Sequence, residues 1–224
     1  MRLCAASDQS VLVYLGEEIG LATHERVLKL LRLLQTERPA WLHNVQPAYC
    51  SLMVTFDEAR VGHAEVESAL REFEQRAESL RPLKLRTVEI PVCYAKKFAP
   101  DLEDVARQHD LTSKEVVRLH KSRTYHAYFL GFAPGFAYLG EVPDEIATPR
   151  LEAPRKQVPA GSVAIAGKQT AVYPFATPGG WRLIGRTPLV MFRADRKPCE
   201  LISIGDQVRF RSISEKEFLE LASA

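Results

Sequence analysis

Glycine and proline are spread unevenly along this chain, and that limits its architecture more than any other feature. Only 3 of the 12 glycines and 5 of the 14 prolines precede residue 131, and the last 94 of the 224 residues hold 9 of each. Glycine adopts turn conformations at no steric cost, and proline breaks helices and ladders. The first part therefore tolerates long helices, whereas the second must be assembled from short segments and turns. The asymmetry predicts two architectures on one chain. At this length folding buries on the order of 70% of the extended-chain surface, so a core forms without disulfides.

In the first part, Ser10 to Leu15 is a short apolar run that reads as a strand. Thr23 is placed to cap a helix whose Val27, Leu28, Leu30, Leu31 and Leu34 share a face, and Pro39 ends it. Val45 to Tyr49 and Leu52 to Phe56 read as paired strands, the second alternating with period two. A second amphipathic helix spans about Gly62 to Ser79, with Val66, Ala69, Leu70, Phe73 and Ala77 inward. Leu85 to Tyr94 is β-branched enough for a strand. This order of strands and helices fits an α+β sandwich of ferredoxin-like kind, an antiparallel sheet with two helices on one face. The expected domains are 1–84 and 85–224.

Residues 100–121 read as a helix pair that opens the second domain. Thr112 and Glu115 have the spacing of a capping box. The pair imitates a helix-turn-helix, but Glu115 sits among Lys114, Arg118 and Lys121, and the net charge is only +2, so no nucleic-acid partner is expected. After Tyr125 the expected strands are short: 125–129, 162–166, 170–173, 181–184, 189–192 and 208–213. Turn signals at 133–135, 158–161 and 177–180 separate them, as in a β-barrel. Ser214 is placed to cap a last helix.

Several classes are excluded. No run of about 18 apolar residues exists to span a membrane, and the start lacks the apolar stretch of a secretory signal. Cys4, Cys50, Cys93 and Cys199 are far apart and form no metal or redox motif. The expectation is a cytoplasmic protein with reduced thiols and no metal. Gly161 to Thr170 imitates a phosphate-binding P-loop, yet five residues separate its glycines where four are needed, and Gln169 stands where a magnesium-binding hydroxyl belongs. Ser162 is no nucleophile elbow, because Ala160 and Ala164 replace the required glycines. No histidine pair has ligand spacing. His126 alone is kept as an acid/base candidate, because it lies on the strand entering the glycine-rich region.

Basic residues also concentrate late. Between Pro149 and Arg196 the net charge is +6, which leaves the rest of the chain at −4. Guanidinium forks beside exposed backbone N–H groups suit a carboxylate or a phosphate. The bland alternative is a solvated barrel surface.

Four blocks now point to a family. They are Tyr128 to Leu139, Thr148-Pro149-Arg150, Val158 to Gly167 with Gln169 to Pro174, and Thr177 to Thr187. In this order they closely resemble the signature of the allophanate hydrolase subunit 1, or KipI-like, family. The resemblance is continuous over the C-terminal half, and the N-terminal half matches in layout. It implies a cyclophilin-like barrel behind an α/β domain, and equivalence to part of the carboxyltransferase module of urea carboxylase. It further implies a subunit of a bacterial ATP-dependent 5-oxoprolinase, which opens 5-oxoproline to glutamate. The implied partners are a homologous subunit 2 and a LamB/YcsF-type subunit, with ATP bound on another subunit and no cofactor on this chain. Two alternatives stay open: an inhibitor docking on a histidine kinase, and subunit 1 of a urea or allophanate system.

On that resemblance the expected lining of the substrate site is Arg155, Gln169, Thr170, Tyr173, Thr177, Gly179, Gly180, Trp181 and Arg186. Arg155 and Arg186 would hold anionic groups, Gln169 would hydrogen-bond the lactam amide, and Trp181 and Tyr173 would form an apolar wall. Structural duties compete for several of them. Gly179 and Gly180 suit a tight turn, Trp181 suits the barrel filling, and Arg186 suits a pairing with a carboxylate.

Overall fold

A computed structural model describes residues 1–82 and 85–223. The chain divides into two compact units, Met1–Lys84 and Leu85–Ala224.

The first unit contains β1 (Arg2–Ser7), β2 (Ser10–Tyr14), α1 (Leu21–Glu37), β3 (Leu42–Pro47), β4 (Ser51–Phe56) and α2 (His63–Glu78). The sheet order is β1-β2-β4-β3, antiparallel throughout. Val11, Val13, Leu52, Val54 and Phe56 are buried, alternating along β2 and β4 as period-two side chains must. Helix α1 packs on β3, β4 and α2, and ion pairs Arg26–Glu74 and Arg76–Glu37 join the two helices. It begins at Leu21, with Gly20 at the cap position. Thr23 is therefore not the cap; its side chain packs on Gly16, where a Cβ would collide with it.

The second unit contains β5 (Thr87–Val92), α3 (Leu102–Gln108), α4 (Ser113–Lys121), β6 (Tyr125–Leu130), β7 (Ala137–Gly140), β8 (Arg155–Val158), β9 (Ser162–Ala166), β10 (Gln169–Val172), β11 (Thr177–Gly179), β12 (Arg182–Arg186), β13 (Gln207–Ser212) and α5 (Glu215–Ala222). Seven strands form one mixed sheet in the order β12-β9-β10-β7-β6-β13-β5. Its two ends meet through Cys93 N–H to Arg186 O, 2.8 Å, and Arg186 N–H to Cys93 O, 3.0 Å. These two bonds nearly close a barrel. The strand order along the chain assigns β5 to the first sheet. It pairs instead with β13, in parallel, and the edge that a ferredoxin-like order gives to a strand after α2 is taken by β1.

The capping box at Thr112 is present, with Glu115 N–H to Thr112 Oγ1 at 3.3 Å and Thr112 N–H to Glu115 Oε2 at 2.8 Å. Ser214 accepts from Glu217 N–H at 3.1 Å at the start of α5. Two further expectations fail. Leu189 to Phe192 is not a strand: it holds a single isolated bridge, Phe192 to Glu200. Thr177 to Gly179, whose composition signals a turn, is the short strand β11, paired with β8.

Strand β9 is buried at every position, so both of its faces must be covered. Val163 and Ile165 join Ile90, Val92, Leu139, Val172, Ile184 and Phe210 in the main core. Ala164 and Ala166 point the other way, into a second cluster with Phe136, Ala171, Tyr173, Trp181 and Leu183. The β8–β11 ribbon supplies Val158 to that cluster. The candidate site is built on this second face.

Candidate functional site

Small residues on the second face of the sheet leave room for large ones above it. Ala164, Ala166 and Ala171 form the floor, and aromatic side chains from β6, β7 and three loops fill the layer. Phe136 lies edge-on to Tyr138, Tyr173 and Trp181, with centroids 5.0, 5.3 and 5.5 Å away. Tyr138 meets Trp181 at 5.9 Å and stacks on Phe129 at 4.4 Å. Such edge-to-face and offset contacts are the favoured aromatic geometries. Gly179 is required here, because a Cβ would overlap the buried Tyr173 hydroxyl.

These walls enclose a cavity of about 110 Å³, lined by Phe132, Phe136, Tyr138, Tyr173, Trp181 and Arg150 with Gly179 and Gly180. Phe132 lies over Phe136 and Tyr173 at 5.2 and 6.2 Å. It is 61% exposed and has a φ of 67°, a region that bulky side chains avoid. The Arg150 guanidinium lies 5.6 Å from the Trp181 ring centre. Among the described residues it makes no ion pair. Burial raises the pKa of the Tyr138 phenol, and Arg150 opposes the rise. Burial also raises that of Tyr173, opposed by the Trp181 backbone hydrogen bond and by Arg150 and Arg155. Both phenols are protonated at neutral pH. The cavity therefore offers apolar ring faces, phenol groups and one unpaired cation. It is well below the roughly 300 Å³ at which pockets for drug-sized ligands begin, so it does not enclose a nucleotide.

Tyr173, Gly179, Gly180 and Trp181, four of the nine expected lining residues, meet in this cavity. Arg155 lies beside it, in register with Gly179, but its Nη2 is held by Asp101 Oδ1 at 2.6 Å. Thr177 sits on the same ribbon, with its hydroxyl buried and unpartnered among the described residues. Arg186 is elsewhere. Its Nε donates to Ala160 O at 2.8 Å, and it lines a separate groove with Phe175, Val190 and Phe192. Gln169 and His126 flank Gly140 in register on neighbouring strands. His126 is nearly buried, edge-on to Tyr128 at 5.1 Å, and burial lowers its pKa. Neither residue lines the cavity. Sequence reasoning misses Arg150, Phe132, Phe136 and Tyr138 as lining residues, although all four fall within the signature blocks.

Thr170 faces the main core. Its hydroxyl donates to Ala164 O at 2.9 Å and so must accept from His120 Nε2 at 3.0 Å. His120 Nδ1 is then the acceptor for the Tyr94 hydroxyl at 3.0 Å. The chain of donors fixes the neutral Nε2–H tautomer, in agreement with the fully buried ring and with a pKa that burial lowers from 6.5 to about 3. A group with a depressed folded pKa that is neutral when deprotonated opposes folding only in acid. His120 should leave stability unchanged well above pH 6.5 and lower it progressively as pH falls from about 6.5 toward 3. Nitrogen-resolved NMR should show a neutral His120 ring at pH 5; a protonated ring there would contradict the tautomer.

A family profile described as "Carboxyltransferase domain, subdomain C and D" matches residues 1–202. The chain is 41% identical over 222 residues to a protein of Bacillus subtilis that is named as the B-type subunit of 5-oxoprolinase, covering 94% of this chain and 92% of that one. It is 40% identical to a protein of the same name from Escherichia coli O157:H7, covering 94% of each. Among solved structures, the crystal structure of TTHA0988 superposes with a TM-score of 0.82 at 34% identity, covering 93% of this chain. This chain spans only 40% of that longer one. The profile match over residues 1–202 spans most of the sequence: the chain belongs to the carboxyltransferase-domain family, subdomains C and D.

Proposed function

We propose that this chain is the B-type subunit of a cytoplasmic, ATP-dependent 5-oxoprolinase that opens 5-oxoproline to L-glutamate. It acts with a homologous second subunit and a LamB/YcsF-type subunit. The observation that carries this reading is the 41% identity running through nearly the whole length of both this chain and its Bacillus subtilis relative. The barrel is read as cyclophilin-like in shape, without prolyl isomerase activity.

A lactam amide is stabilised by resonance and resists water. Transfer of the γ-phosphoryl group of ATP to the lactam oxygen releases ADP and makes the ring carbon electrophilic. Water adds to that carbon, the C–N bond breaks with a proton passing to nitrogen, and an acyl phosphate remains. A second water releases phosphate and leaves glutamate. The developing charge calls for fixed cations and donors. ATP is too large for the aromatic cavity and is assigned to another subunit, so the isolated chain is expected to be inactive.

The test is reconstitution with both candidate partners and an assay for glutamate released from 5-oxoproline. Release that needs ATP and all three chains is the expected result. No release from the full set, together with inhibition of a histidine kinase by this chain, would overturn the reading.

A further inference from the structure

We propose that the aromatic cavity beneath Phe132 binds the lactam ring itself, with Arg150 holding the substrate carboxylate and Phe132 closing over the ring. This rests on the reading under Proposed function and names the place and the groups.

Size comes first. A cavity of about 110 Å³ is smaller than the roughly 150 Å³ that accommodates a benzene ring, so the five-membered ring would enter and the carboxylate would stay outside, beside Arg150. Trp181 and Tyr138 line the cavity, and their rings offer apolar surface to the methylene side of a lactam.

The choice of cation is settled by elimination. The Arg155 guanidinium is already engaged by Asp101, and Arg186 lines a different groove. Arg150 is exposed, lies at the cavity and has no carboxylate partner among the described residues. An arginine beside an aromatic face keeps its fork of donors available to a carboxylate, which it binds in two-point fashion.

Phe132 supplies the third argument. Phe132 is exposed and sits in the left-handed region, a backbone strain that the surrounding structure must sustain. Its ring lies at the cavity, against Phe136 and Tyr173. A ring ligand below would bury the exposed face and exclude water from the lactam carbonyl. Two-point recognition then separates substrate from look-alikes: the ring needs the aromatic walls, and the carboxylate needs Arg150.

The experiment uses the assembled complex with Arg150→Met, Arg150→Lys and Phe132→Ala, each checked for folding and assembly. Arg150→Met should raise KM for 5-oxoproline at least tenfold, and Arg150→Lys should recover part of the loss. Phe132→Ala should raise KM and also slow turnover. Persistent turnover with KM unmoved in Arg150→Met would overturn the assignment and leave the proposed function standing. A wild-type complex without turnover would overturn the function, and direct binding then decides the site. In a Trp41→Phe background, Trp181 fluorescence should respond saturably to 5-oxoproline, at least tenfold more weakly to 2-pyrrolidone, which lacks the carboxylate, and the first response should weaken in Arg150→Met. No response, or one that Arg150→Met leaves unchanged, would remove the site as well.

Discussion

Replacing Asp101 by alanine should cost roughly 3–5 kcal/mol of folding stability, the range for breaking a buried ion pair from one side. Asp101 is 4% exposed. One carboxylate oxygen takes Arg155 Nη2 at 2.6 Å, and the other takes Leu183 N–H at 2.6 Å. Its own N–H donates to Leu183 O at 3.0 Å. A single side chain thus ties the start of α3 to β12 and β8. Alanine would leave the Leu183 N–H without its partner, together with a partly buried guanidinium whose Nη1 already has none among the described residues. Asparagine keeps an acceptor and should cost less. Urea titration of the three proteins measures the difference; an alanine variant within about 1 kcal/mol of wild type would show that the clamp contributes little.

Gly161→Ala should be comparably severe. Gly161 has a φ of +79°, and a Cβ there would run into the carbonyl oxygen of Thr187. Both of its backbone groups are used, N–H to Tyr173 O at 2.7 Å and O from Thr187 N–H at 2.9 Å. Backbone strain of about 1–2 kcal/mol and an overpacking cost of about 1–3 add to roughly 2–5 kcal/mol. Gly167→Ala is the control. It shares a positive φ, +55°, but a Cβ would meet nothing within 4 Å, so only the strain of about 1–2 kcal/mol should appear. Equal losses at the two positions would rule out the steric component.

Local chemistry makes parts of this fold legible. Helix α2, the Thr112 capping box and the central strands follow from periodicity and caps, which act within a few residues. The misses share a physical origin. Strands β8 and β11 are too short and too rich in turn formers to announce themselves, and each exists because the other is there to pair with it. Strand β5 is readable as a strand, but its partner β13 lies some 120 residues on, beyond any local pattern. At the site, the loops that build it are readable because the signature blocks hold every residue that lines the cavity. Which arginine is available is not. That depends on Asp101 standing 54 positions before Arg155, and no neighbouring residue reports it.

The parallel pairing of β5 with β13 has a further meaning for how the protein is made. Synthesis delivers β5 near residue 90, yet its parallel neighbour is not complete until Ser212. Until β13 emerges, β5 lacks this ladder, and its backbone donors and acceptors on that side remain open to other chains. Contacts this distant along the chain form slowly, so ribosome-bound fragments ending before residue 207 should need chaperones to keep β5 from foreign strands. The strand that joins β5 to the rest of the sheet is also the last barrel strand that the ribosome supplies.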